Sequence, residues 1–193
     1  MKKVGLYFGS FNPVHTGHLI IAEFFATRTE LDEVWLVVSP QNPFKPSSEL
    51  APELHRLEMV KLAIAGNPKL HACDLEFQLE KPSFTVNTLK VLSQNFPDYD
   101  FTLLIGEDNI AAFHKWKDYE FILGNYNVRI FPRIHNNADP ENALTGRDVK
   151  MVDAPRIEIS STLIRESIRN GKSVRYLTPD VVLRYIENNR LFV

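Results

Sequence analysis

The sequence predicts an α/β fold: a doubly wound parallel sheet with helices on both faces and a small helical segment at the C-terminal end. Three observations lead there. Runs such as Val4 to Phe8, Glu33 to Ser39 and Phe101 to Ile105 are short and apolar almost throughout, as strands buried on both faces are. Turn residues follow them: Gly9-Ser10 after the first, a loop with prolines at 43 and 46 after the second, Gly106 after the third. Segments of helical character alternate with these runs along the chain, the pattern of a parallel sheet covered on two sides.

Taken in order, Val4 to Phe8 is a strand ending in a turn, and Leu19 to Thr27 is a continuous apolar helix. Glu33 to Ser39 is the second buried strand. Gln41 to Ala51, with prolines at 43 and 46, is a loop. Pro52 opens a helix through Ala65, with Leu54, Leu57, Val60 and Leu62 at helical spacing and Gly66 as its stop. His71 to Leu75 is a weaker strand. A helix capped by Ser83 or Thr85 runs to about Asn95. Phe101 to Ile105, Asn127 to Phe131 and Val149 to Val152 are further strands. Ser160 or Ser161 caps a helix to Asn170, and a last helix starts near Pro179 and ends around Asn189. Asn136 to Gly146, the most polar stretch, reads as a surface loop.

Composition narrows the function classes. At 193 residues, with 44% hydrophobic and 24% charged, the chain is expected to be a single domain, residues 1–193, with its own core. A net charge of −2 leaves no basic footprint for a nucleic acid polymer, so any phosphate must be held by a few local groups. Cys73, the single cysteine, rules out an intramolecular disulfide and a Cys-rich metal site, and it fits a cytoplasmic setting. No stretch approaches the ~18 apolar residues of a membrane span. Lys2-Lys3 followed by an apolar run mimics a signal peptide, but Gly9-Ser10 and Asn12-Pro13 break that run too early.

In sheets of this kind ligands lie beyond the carboxyl ends of the strands. That rule gathers Gly9 to His18, Gln41 to Pro46, Gly106 to Asp108 and Phe131 to Arg133 around one crevice. Gly9 permits close approach of the backbone to a ligand, and Gly17 opens a helix whose amides attract phosphate. His15 and His18, three apart, share a face on a first helical turn, where two imidazoles can donate to phosphate oxygens. The plainer alternatives are a structural histidine pair or a zinc pair, although helical zinc ligands more often sit four apart. Ser160 and Ser161 read equally well as caps and as phosphate-facing hydroxyls, with Arg165 one turn on.

Gly9-Ser10-Phe11-Asn12-Pro13-Val14-His15-Thr16-Gly17-His18 resembles the G-x-F-D-P-x-H-x-G-H signature of the HIGH-type nucleotidyltransferases. Ile159-Ser160-Ser161-Thr162-Leu163-Ile164-Arg165 is similar to their second signature, I-S-S-T-x-I-R. Asn42 to Lys45, Arg56 to Met59, Lys81 to Thr85, Leu104 to Asp108, Trp116 and the run from Leu177 to Phe192 extend the likeness over the whole chain. Among these enzymes it resembles the bacterial nicotinate-nucleotide adenylyltransferases. Two departures stand out. Asn12 replaces the usual Asp, removing a charge but keeping the turn chemistry. Asn-Pro-Phe-Lys replaces the usual P-P-H-K, so Lys45 alone is carried over.

The resemblance implies a Rossmann-like fold and adenylyl transfer from ATP to nicotinate mononucleotide. It implies His15, His18 and Lys45 as catalytic groups, with His18 at the transition state. It places Gly9, Ser10, Phe11, Gly106, Asp108, Arg133, Ile159, Ser160, Ser161 and Arg165 against ATP, and Ser10, Phe11, Lys45, Thr85, Asp108 and Trp116 against the mononucleotide. Plainer readings stay open: Lys45 as a surface lysine, Asp108 and Thr85 as caps, Trp116 as a core or interface aromatic. Mg²⁺ is expected to arrive with ATP, with no tightly bound cofactor and no metal site of the protein's own. No nucleic acid polymer or membrane is expected as a partner, and a homo-oligomer is left open. The alternatives are a sister adenylyltransferase acting on nicotinamide mononucleotide, phosphopantetheine or a riboflavin phosphate, and a non-catalytic nucleotide sensor.

Overall fold

In the computed structural model, residues 1–40, 50–133 and 144–193 are described, and every structural statement below concerns those residues. The expected loop residues 41–49, with Lys45 among them, and residues 136–143 of the polar stretch lie outside them.

The strands are β1 (Lys2–Gly9), β2 (Glu33–Val38), β3 (Leu70–Cys73), β4 (Tyr99–Gly106), β5 (Asn127–Phe131) and β6 (Asp148–Met151). They form a parallel sheet in the order β3-β2-β1-β4-β5-β6. The helices are α1 (Thr16–Arg28), α2 (Glu53–Ile64), α3 (Thr85–Asn95), α4 (Ile110–Phe113), α5 (Tyr119–Asn125), α6 (Ser161–Arg169) and α7 (Asp180–Asn188), with single 3₁₀ turns at Leu75–Gln78 and Glu107–Asn109.

This is the doubly wound arrangement expected from the sequence. Alternate residues of each strand go to opposite faces, and each face has its own core. Val34, Leu36 and Leu104 meet Phe25 of α1, Leu57 and Val60 of α2, and Val182 and Ile186 of α7 on one side. Val4, Leu6, Leu103 and Ile105 meet Val86 and Leu89 of α3, Phe113 of α4 and Ile122 of α5 on the other. The C-terminal helix α7 is tied to α2 by a 2.8 Å hydrogen bond between Tyr185 Oη and His55 Nδ1.

Several boundaries differ from the sequence reading, each for a local reason. β1 begins at Lys2 and β4 at Tyr99, because polar residues can complete a ladder through their backbone. Lys2 N–H also donates to the Asp98 carbonyl at 3.1 Å. α1 starts at Thr16, three residues before the apolar run, because His15 supplies its cap. β3 stops at Cys73, and Leu75 enters a 3₁₀ turn. Neither Ser83 nor Thr85 caps α3. The cap position is Phe84, which has no side-chain cap bond, and Ser83 Oγ instead donates to the buried carboxylate of Glu76 at 2.8 Å. α4 and α5 went unread because they are too short for a helical period to show.

The sheet order reverses between β1 and β4, whose register sets Tyr7 beside Leu104. Their carboxyl ends, Gly9 and Gly106, therefore open a crevice at a topological switch point, where such sheets bind ligands.

Candidate active site

A cleft of about 930 Å³ lies at that point. Its walls include Gly9, Ser10, Phe11, His15, His18, Gly106, Asp108, Trp116, Arg133, Ile159, Ser160, Ser161 and Arg165, so nearly every predicted site residue converges there. Thr85 is not among the lining residues, and Lys45 falls in the undescribed segment. The sequence reading missed several residues of the wall, among them Tyr7, Leu50, Asn109 and Glu158.

The two histidines do more than share a face. His15 is the N-cap of α1 and His18 its third residue, and they cap each other. His15 Nδ1 accepts the His18 N–H at 3.3 Å, and His18 Nδ1 accepts the His15 N–H at 3.2 Å. The rings stack at 3.6 Å between centroids, 21° from parallel. A nitrogen that accepts an N–H carries no proton, so in each neutral ring the proton sits on Nε2. Burial, reinforced by the nearby Arg133 guanidinium, pushes the His15 pKa down to about 4, so this imidazole is neutral at pH 7. The pair thus presents two Nε2–H donors of fixed tautomer.

The helix-start amides contribute less than the sequence suggested. Thr16 N–H donates to the Leu177 carbonyl at 2.9 Å, and His18 N–H is held within the cap, so two of the first three amides of α1 are engaged inside the protein. Gly17 is needed for space: a Cβ there would lie 2.9 Å from Ile157 and 3.1 Å from His15 Nδ1.

Residues 176–178 lash this turn down. Besides the Leu177 contact, Thr16 Oγ1 donates to the Tyr176 carbonyl at 3.1 Å, and buried Thr178 Oγ1 to the Val14 carbonyl at 2.9 Å. The second motif grips the same turn. Ser160 caps α6, accepting the Leu163 N–H at 3.1 Å, while Ser161 Oγ donates to the Pro13 carbonyl at 2.9 Å. Arg165, only 8% exposed, donates from a terminal nitrogen to the Asn12 carbonyl at 3.1 Å. Asn12 Oδ1 accepts the Ala51 N–H at 3.0 Å. The serines and Arg165 therefore assemble the first motif as well as line the cleft.

Opposite them, Asp108 is no helix cap. It sits in the 3₁₀ turn after β4 with its side chain 60% exposed, and Arg133 Nε lies 3.6 Å from its carboxylate. Arg133 also lies over the Phe131 ring at 5.1 Å, and its backbone N–H donates to Glu107 at 3.1 Å. Gly106 lets the Asp108 carboxylate lie close against the backbone: a Cβ there would meet it, and the carboxylate would have to swing away. Burial raises the Tyr7 pKa to about 12, so its phenol stays neutral.

Trp116 forms the far wall, half-buried and stacked on Phe113 at 4.8 Å. Lys117 Nζ lies 4.8 Å over the ring of Phe84, the residue before Thr85, so it brings a positive charge to the start of α3. That lysine was not among the sequence candidates, since a single Lys beside a Trp carries no pattern. No group of three or more His, Cys, Asp or Glu side chains arranged to hold a metal ion occurs among the described residues. No helix among them is long and apolar enough to cross a membrane.

Comparison with known proteins gives a consistent picture. A family described as cytidylyltransferase-like matches residues 6–167. A Flavobacterium psychrophilum protein named "Probable nicotinate-nucleotide adenylyltransferase" is 45% identical over 98% of both chains. One of the same name from Cytophaga hutchinsonii is 47% identical over 98% of both. Among solved structures, Plasmodium falciparum nicotinic acid mononucleotide adenylyltransferase complexed with NaAD superposes with a TM-score of 0.85. At 22% identity it covers 100% of this chain and 98% of its own, a likeness of fold.

Proposed function

Because this chain belongs to the cytidylyltransferase-like family, and within it to the nicotinate-nucleotide adenylyltransferases, we propose that it transfers the adenylyl group of ATP to nicotinate mononucleotide in NAD biosynthesis. A phosphate oxygen of the mononucleotide attacks the α-phosphorus of ATP in line. The bond to the bridging oxygen of the β-phosphate breaks, pyrophosphate leaves, and nicotinate adenine dinucleotide remains. No protein nucleophile takes part, so catalysis is positioning and charge stabilisation.

The observation that carries this reading is the mutual cap of His15 and His18 in a cleft at the switch point. Two imidazoles whose Nδ1 atoms are held in the mutual cap can turn Nε2–H donors to the charge that grows on the α-phosphate oxygens, with little reorganisation at the moment of reaction. His18 is assigned to the transferring phosphate and His15 to the triphosphate beside it. Ser160, Ser161, Ile159 and Arg165, which line the cleft, are assigned to ATP, and Arg133 to its phosphates. Gly9, Ser10, Phe11, Gly106 and Asp108 are assigned to both nucleotides, with Asp108 toward their sugars. Lys45 is assigned to the phosphates by its sequence position alone.

Mg²⁺ enters as part of the ATP complex. The residues around the cleft fit that route, since they offer the exposed carboxylates of Asp108 and Glu158. The mononucleotide's pyridine ring is assigned to Trp116 and its carboxylate to the start of α3 at Thr85, with Lys117 adding positive charge there. We place all of this in one nucleotidyltransferase domain working in the cytoplasm. The test is product formation: mass analysis of a reaction with Mg-ATP and a panel of mononucleotides should show nicotinate adenine dinucleotide and pyrophosphate. Silence across the panel would leave a nucleotide sensor, and reaction with another acceptor alone would leave a sister enzyme.

A further inference from the structure

We infer that Arg56 is a positioning residue for this transfer: from inside the protein it holds the Ser10 carbonyl, and so turns the Phe11 amide toward the cleft. The inference rests on the adenylyl-transfer reading and adds to it a residue that never meets substrate.

Arg56 lies on α2, only 1% exposed, and does not line the cleft. Its hydrogen bonds all go to backbone carbonyls. Nε donates to Ala51 at 2.9 Å. One terminal nitrogen donates to Ser10 at 2.8 Å and to Ser39 at 2.6 Å, and the other to Pro40 at 2.8 Å. One guanidinium thus joins the turn after β1, the end of β2 and the lead into α2. Burial lowers its pKa to about 10, which still leaves it charged at neutral pH. A buried cation is costly to desolvate, and what offsets that cost here is a set of four carbonyls that an apolar side chain would leave without this donor. What the cation supplies is a fixed direction for those carbonyls.

At Ser10 that direction bears on the site. The Ser10–Phe11 peptide is trans, so its C=O and N–H point opposite ways. With the carbonyl turned inward to Arg56, the Phe11 N–H points outward, on the side where Ser10 and Phe11 wall the cleft. Phe11 also has φ of 45°, a left-handed conformation that a non-glycine residue holds only when its surroundings enforce it. The enforcement comes from both flanks: Arg56 on the Ser10 carbonyl and Arg165 on the Asn12 carbonyl. The buried Phe11 ring packs edge-on against Tyr7 at 5.9 Å and His18 at 5.0 Å. The result is an outward amide beside the catalytic histidine, a donor for a phosphate oxygen.

Arg56→Lys keeps the charge, but one nitrogen cannot reach carbonyls on three segments. Per folded molecule, kcat should fall at least about tenfold, and the Kd of a non-hydrolysable ATP analogue should rise about tenfold. A variant with a lower melting temperature but wild-type kcat and analogue affinity would overturn the inference and leave Arg56 a packing residue. If wild-type enzyme makes no dinucleotide, the functional reading fails, and the analogue titration still judges Arg56. Should the lysine variant not fold, amide NMR on the wild type decides. The Phe11 N–H should shift downfield as the ATP analogue is titrated, and a Phe11 signal that does not move overturns the inference.

Discussion

Ser161 Oγ donates to the Pro13 carbonyl at 2.9 Å, so the hydroxyl of one motif holds the backbone of the other. Ser161→Ala should lower stability by about 1 kcal/mol, the usual worth of one such bond, and reduce kcat/KM for ATP roughly tenfold. Thr178→Val is the control. It removes a similar bond to Val14 outside the cleft wall, so it should cost stability with a smaller effect on ATP. Thermal unfolding and steady-state kinetics on both variants make the comparison, and equal kinetic losses would reduce Ser161 to a brace.

For His18→Ala, kcat should fall by about 10²–10³ while KM for either substrate changes little, the pattern of a donor acting on developing charge. Kinetics on the folded variant decide it. A kcat within a few fold of wild type would strike His18 from the catalytic groups.

His15 links pH to stability, and the sign follows from its lowered pKa of about 4. Above pH 6.5 the imidazole is neutral both folded and unfolded. Between pH 6.5 and 4 the unfolded chain binds a proton that the folded one refuses, so stability should fall as pH drops through that window. The full effect at one site is roughly 3 kcal/mol. Urea unfolding at pH 7 and pH 4.5 should show a larger loss for wild type than for His15→Asn. Equal losses would mean that His15 titrates normally.

The enzyme should prefer nicotinate mononucleotide to the nicotinamide form by at least about tenfold, or ~1.4 kcal/mol, in kcat/KM. An amide group would turn its own N–H donors toward the amides and the Lys117 ammonium at the start of α3. Trp116→Ala should raise KM for the mononucleotide and leave KM for ATP alone. Equal efficiencies on wild type would remove the acid from the assignment, and an unchanged KM in the variant would remove the stacking.

The sheet, its two covers and the place of the cleft were legible because buried parallel strands such as Val4 to Phe8 and Phe101 to Ile105 announce themselves by continuous apolarity. Gly106 and Arg133 could be placed from strand ends alone, since ligands gather there. Roles that depend on side-chain direction were not legible. The sequence shows that His15 and His18 are three apart. It does not show that each Nδ1 is engaged by the other's amide, which fixes the tautomers. Arg56 was visible only as part of a familiar segment, because a buried arginine on carbonyls looks, in sequence, like any charge on a helix. Ser83 shows the reverse: a good capping residue was drawn away by the buried carboxylate of Glu76.

The lashing of Thr16 and Val14 by residues 176–178 also sets a timetable. The turn that carries His15 and His18 is made early, yet the segment that braces it follows 160 positions later. A nascent chain can lay down β1 and α1 early, but the turn between them stays unbraced until α6 has passed and Tyr176 has docked. The braced form of the turn therefore waits on residues 176–178, and a polypeptide halted before them carries both histidines on a turn that lacks this brace.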